Sequence, residues 1–78
     1  LEKLRVLDLE SNNLTSLPPE IGQLEKLRVL DIRDNNLTSL PPEIWQLVRL
    51  EYLYIRGNDN LTEIPTGILA IKNLTIIR

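Results

Sequence analysis

The sequence predicts an α/β repeat solenoid: stacked coils with a short-stranded parallel sheet on a concave face and short helical or extended segments on the convex face. Three observations carry this expectation. The string NNLTSLPPEI stands at residues 12–21 and again at 35–44. Residues 1–23 and 24–46 are identical at 19 of 23 positions, differing at Leu9/Ile32, Glu10/Arg33, Ser11/Asp34 and Gly22/Trp45. The apolar residues are nearly all Leu and Ile, and Phe and Met are absent. One kind of side chain is filling one kind of slot repeatedly, and self-similarity at this period is the mark of a solenoid.

Each coil can be justified element by element. In LRVLDLESNNL, Leu4, Leu7, Leu9 and Leu14 are the apolar positions, and Leu7 and Leu9 alternate with Asp8. Alternation of this kind belongs to a strand with one buried face. Asn12, Asn35 and Asn58 follow the strand at one fixed offset. An Asn side chain has both donors and an acceptor, so it can satisfy backbone groups where the chain bends away from a sheet. LPPEIGQL then returns the chain. Leu17, Ile21 and Leu24 face inward, Pro18-Pro19 favour an extended entry or a first helical turn, and Glu20 and Glu43 suit its positive end.

One domain over residues 1–78 is expected, with repeats at 1–23, 24–46 and 47–70 and a partial repeat at 71–78. The third repeat holds one extra residue near Asp59 or Asn60. No single repeat buries its Leu row alone, whereas stacking makes one continuous core. The ten-residue string recurs because each coil must offer its neighbour the same shape.

The pattern LxxLxLxxNxL, matched by Leu4-Leu7-Leu9-Asn12-Leu14 and Leu27-Leu30-Ile32-Asn35-Leu37, resembles the leucine-rich repeat family over essentially the whole chain. Its 23-residue form with LPPEI is similar to intracellular repeats of Ras-binding and scaffold proteins, plants and bacteria. The resemblance implies the curved solenoid. Two departures stand out: neither end carries a capping segment, and Arg78 stops in mid-repeat. With Leu1 rather than Met at the start and two near-identical repeats, the chain reads as a fragment or an engineered, consensus-like array.

Function is expected on the sheet. If Leu7 and Leu9 point inward, Val6, Asp8 and Glu10 face out, followed by Val29, Asp31 and Arg33, then Tyr52, Tyr54 and Arg56, with Ile76 and Arg78 from the partial repeat. Tyr and Arg are enriched among binding hot spots. Tyr52, Tyr54, Arg33, Arg56, Asp8, Asp31 and Val29 therefore form the expected protein-binding set. The competing interpretation is that the tyrosines pack along neighbouring coils and the valines are simply good strand formers. Trp45 stands where repeat 1 has Gly22, either as a second contact surface or as packing over the adjacent coil.

Other chemistries have little support. The stacked Asp8 and Asp31 invite a metal, but hard cations want six or more oxygens; neighbouring Arg5, Arg28 or Arg33 is the expected compensation, and no metal or cofactor is expected. NLT at 13–15, 36–38, 60–62 and 73–75 is a formal glycosylation acceptor, yet the repeat itself generates the string. With no His, no Cys and only isolated glycines, the usual base, thiol nucleophile and phosphate loop are missing, so no enzyme activity is expected. A net charge of −2 and no long apolar run argue against nucleic-acid and membrane partners. The absence of cysteine favours a reducing compartment, hence a cytoplasmic location. The expected function is a non-catalytic interaction module for a protein partner. The alternative is a structural array that self-associates through Leu1, Leu4, Leu74 and Ile77 at its open ends.

Overall fold

The computed structural model describes residues 3–78. Each coil contributes one three-residue strand: β1 (Val6–Asp8), β2 (Val29–Asp31), β3 (Tyr52–Tyr54) and β4 (Thr75–Ile77). They form one parallel sheet in chain order, with Val6, Val29, Tyr52 and Thr75 in register. Pairing continues past the strand ends: the Leu9 amide donates to the Asp31 carbonyl at 2.7 Å, Ile32 to Tyr54 at 3.0 Å and Ile55 to Ile77 at 3.0 Å.

The return segments are short 3-10 helices, η1 (Pro19–Gln23), η2 (Pro42–Gln46) and η3 (Thr66–Ala70). Pro18 and Pro41 are extended, because the following proline excludes the helical region, and Pro19 and Pro42 open the helices with φ already set. Both sequence expectations for the Pro-Pro pair are met at once.

Between helices and sheet lies one core. Leu27, Leu30, Ile32, Leu37, Ile44, Leu47, Leu50, Leu53 and Ile68 are the fully buried side chains, all from the second coil onward. Burying each contributes about 1.5–3 kcal/mol. Their first-coil counterparts Leu4, Leu7, Leu9 and Leu14 are only partly buried, because no described coil covers their outer side.

Buried asparagines join the coils. The Asn35 side-chain oxygen accepts from the amides of Asn12 (3.0 Å) and Leu14 (2.9 Å) in the preceding coil, and its nitrogen donates to the carbonyls of Leu9 (3.0 Å) and Ile32 (3.0 Å). Asn58 repeats this one coil later, accepting from Leu37 and donating to Ile32 and Ile55. No described coil lies before Asn12; it is exposed and, among the described residues, its amide nitrogen donates to the Glu10 carbonyl.

The fourth strand corrects the sequence reading. Thr75 and Ile77, not Ile76 and Arg78, continue the outward rows, since Tyr52 pairs with Thr75 and Tyr54 with Ile77. Ile76 points inward against the core beside Leu74. Two residues, Leu50 and Glu51, separate turn from strand in the third coil, whereas Leu74 alone does so in the fourth. A shift of one residue flips every side chain. The apolar pattern could not decide between Ile76 and Ile77. Ile77 therefore leaves the expected set of core-end residues, and Leu1 lies outside the described residues.

Asn35→Ala removes the side-chain partner of the part-buried Asn12 and Leu14 amides and Leu9 carbonyl, while the Ile32 carbonyl keeps its bond from Asn58, at about 1–3 kcal/mol for each group that water cannot reach. Urea unfolding should show Asn35→Ala losing about 3 kcal/mol and Asn12→Ala less than about 1 kcal/mol.

Candidate functional site

The sheet face carries two rows set by the strand register. Val6, Val29, Tyr52 and Thr75 form one, and Asp8, Asp31, Tyr54 and Ile77 the other. Val6 and Tyr52 are exposed, while Val29, Tyr54 and Ile77 are half-buried. The Tyr52 and Tyr54 rings stack with centroids 6.3 Å apart and planes 24° from parallel. A slab of aromatic surface two rings wide thus stands on the third strand.

Arg33 joins this slab to the acidic coils. Its Nε donates to Asp31 Oδ1 at 2.9 Å and one terminal nitrogen to Asp31 Oδ2 at 2.8 Å, the paired geometry that suits a planar guanidinium. The same nitrogen lies 3.4 Å from Glu10, and the guanidinium carbon is 5.5 Å from the Tyr54 ring centroid. Asp31 also accepts from the Arg33 backbone amide, and Asp8 accepts from the Glu10 amide in the same way one coil earlier. Arg33 is therefore the arginine that offsets the aspartate ladder. Arg28 instead faces Glu51 at 3.7 Å, and Arg5 forms no ion pair among the described residues.

Oxygens of Asp8, Glu10 and Asp31 come within 4.8 Å of one another. The Arg33 guanidinium already supplies the positive charge to this group, bonded to two of its three members. Arg56 sits apart from the cluster: it is exposed and borders a recess of about 220 Å³ with Arg78, Asp59 and Leu61. Among the seven expected sheet-face residues, Arg33, Asp31, Asp8 and the two tyrosines are brought together, Val29 lies in the neighbouring row and Arg56 at the margin.

Trp45 lies on the helical side. Its indole stays half-exposed at 52%, while its base lies over the next coil, 3.3 Å from where a Cβ on Gly67 would stand. The preceding pair of coils makes the reverse choice: a Cβ on Gly22 would lie 2.7 Å from the Glu43 carbonyl oxygen. Small against large alternates between coils, so Trp45 both packs and shows a face. Val48, 64% exposed, was not singled out by the sequence reading. Its signal was present, since it replaces the glutamate at the matching position of the second repeat, Glu25.

The Arg33 hydrogen bonds hold the Asp31 carboxyl below its ordinary value of 3.8, outweighing the opposing effect of burial. The unfolded chain therefore takes up this proton more readily than the native one. The stabilisation is complete above the unfolded value and is lost as pH falls through the lower folded value. The melting temperature of the wild-type chain should consequently fall more steeply than that of Asp31→Asn as pH drops from about 5 to about 2.

Comparisons with known proteins agree with this geometry. A model for a leucine-rich repeat region matches residues 1–78. Among solved structures, the Leptospira interrogans LRR protein LIC12759 superposes with a TM-score of 0.91 at 41% identity over 97% of this chain. The match spans only 19% of that protein's length. No curated protein sequence gives a significant match. Four coils in parallel register, their buried asparagines and a family match from first residue to last lead to one conclusion: the chain belongs to the leucine-rich repeat family.

Proposed function

We propose that this chain is a non-catalytic module that binds a protein partner through its sheet face. Membership of a generally non-catalytic, interaction-forming family supports the reading. The observation that carries it is the stacked Tyr52–Tyr54 pair with Arg33 fixed beside it by Asp31 and Glu10. The coil core does not need aromatic residues there, since Val29 and Asp31 occupy the same rows in the second coil. Tyr offers apolar area with a polar tip and few rotors to freeze on binding. A guanidinium already held by two carboxylates loses little further freedom, which lowers the entropic cost of association. The acids lie toward the first coil, and Arg56 and Arg78, which form no ion pair among the described residues, lie toward the last, so a partner of mixed charge would dock in one orientation. The lack of cysteine supports a cytoplasmic setting.

The partly buried Leu4 and Leu7 at one end and Leu74 and Ile76 at the other favour a second reading, association end to end. The two readings differ in which residues are sensitive. Partners captured from cell extract should be lost on Tyr52→Ala/Tyr54→Ala, and a purified partner should bind that variant at least about tenfold more weakly. A partner that binds the double variant unchanged would remove the sheet face from consideration. For the end-to-end reading, molar mass by light scattering should rise with concentration and do so equally in the tyrosine variant.

A further inference from the structure

A second departure from the repeat gathers on the edge where each 3-10 helix turns toward the next strand. Three rows cross this edge: Gly22–Trp45–Leu69, Glu25–Val48–Lys72 and Lys26–Arg49–Asn73. The first changes from no side chain to large apolar ones, and the second from acid through valine to base. Packing alone does not account for either change: only the base of Trp45 lies over Gly67 while the residue stays 52% exposed, and Val48 is 64% exposed. The first coil is built with Gly22 and the second with Glu25, so the fold tolerates both original residues.

The relief of this edge is continuous. Recesses of about 200, 220 and 450 Å³ lie side by side and all share Val48 as a wall. Trp45 and Lys72 close the largest, Lys26 and Arg49 another. Lys26, Arg49 and Lys72 are exposed and form no ion pair among the described residues. The described acids on the same stretch are Glu25 and Glu51, and Glu51 is already 3.7 Å from Arg28. An apolar centre ringed by free cations is the inverse of an acidic segment with an apolar anchor.

We propose that this edge docks an acidic protein segment that inserts a large apolar side chain between Trp45 and Val48, while its carboxylates meet Lys26, Arg49 and Lys72. An exposed Trp beside aliphatic surface is a common anchor pocket, and rim charges steer the approach of an oppositely charged partner. A long polyanion fits less well. The chain as a whole is negative at −2, and an aliphatic wall at Val48 offers a base no face to stack on. This surface is separate from the tyrosine cluster and stands or falls independently of it.

The test uses a short fluorescein-labelled peptide of Glu and Asp with a central Leu-Phe pair, followed by fluorescence anisotropy. Trp45→Gly/Val48→Glu restores residues that the first two coils carry, and far-UV circular dichroism verifies the fold. Lys72→Glu is an independent variant on the rim. The proposal expects at least about tenfold weaker binding in each variant, on the scale of anchor and paired-charge losses. It also expects weakening as salt shortens the Debye length, and no change in Tyr52→Ala/Tyr54→Ala. Unchanged affinity in Trp45→Gly/Val48→Glu would overturn it. Equal affinity for an anchorless acidic peptide or a single-stranded oligonucleotide would overturn it too, by showing a nonspecific basic stripe. Loss of binding in the tyrosine variant would reassign the peptide to the sheet face.

Discussion

The structure depends on a side-chain amide that closes one coil onto the next. A coil that bends sharply out of a three-residue strand leaves backbone donors and acceptors inside the core, where each would cost free energy unpaired. Asn35 and Asn58 each supply an oxygen to the preceding coil's turn and a nitrogen to carbonyls of both coils. Among the described residues no buried side-chain polar atom lacks a partner. The amide thus turns a local problem of one bend into adhesion between coils, and it works only where a neighbour is present. Asn12 shows the converse: with the same local sequence and no described coil before it, it is exposed and makes a single bond from its amide nitrogen among the described residues.

This constraint divides the sequence into positions that must repeat and positions that are free. Inward Leu and Ile, the asparagine and the proline entry recur because every coil meets the same neighbour. Outward strand positions and the turn before each strand touch no such template, and variation collects there. The tyrosines, Arg33, Trp45, Val48 and Lys72 all occupy free positions. The backbone on either side of them is fixed by the repeating set, so the tyrosines stand on a strand and the Val48 and Lys72 turns are short links between an anchored 3-10 helix and the next strand. Even the left-handed residue after each strand varies within limits: Ser11, Asp34 and Gly57 all have positive φ, and only glycine in the third coil leaves room for the Asp34 side chain beside it.

Most of the fold was legible because periodicity is a property of sequence alone. Leu30, Ile32 and Leu53 alternate with polar or aromatic neighbours, and Asn35 falls where a bend needs a donor and an acceptor. The fourth strand was not legible, since Ile76 and Ile77 satisfy an apolar pattern equally and only the length of the connector at Leu74 selects between them. For the sheet face, the rows could be listed in advance except at that strand. The choice of Arg33 over Arg5 and Arg28 as the partner of Asp31 could not, because it depends on side-chain reach across a turn. Trp45 was visible as an anomaly. Its accommodation over Gly67 requires knowing which coil positions touch, and the match of Gly22 with Glu43 obeys the same rule in reverse.

The most direct test of coil-to-coil closure is amide hydrogen exchange in the native state, comparing equivalent positions in successive coils. Leu14 and Leu37 donate to Asn35 and Asn58 in turn, and Leu9 and Ile32 pair with the next strand in the same way. Local sequence is nearly identical, so a difference in protection reports neighbours alone. Leu37 and Ile32, flanked by coils on both sides, should exchange markedly more slowly than Leu14 and Leu9. Equal protection at the paired positions, or slower exchange in the first coil, would contradict the claim that each coil is held by its neighbours.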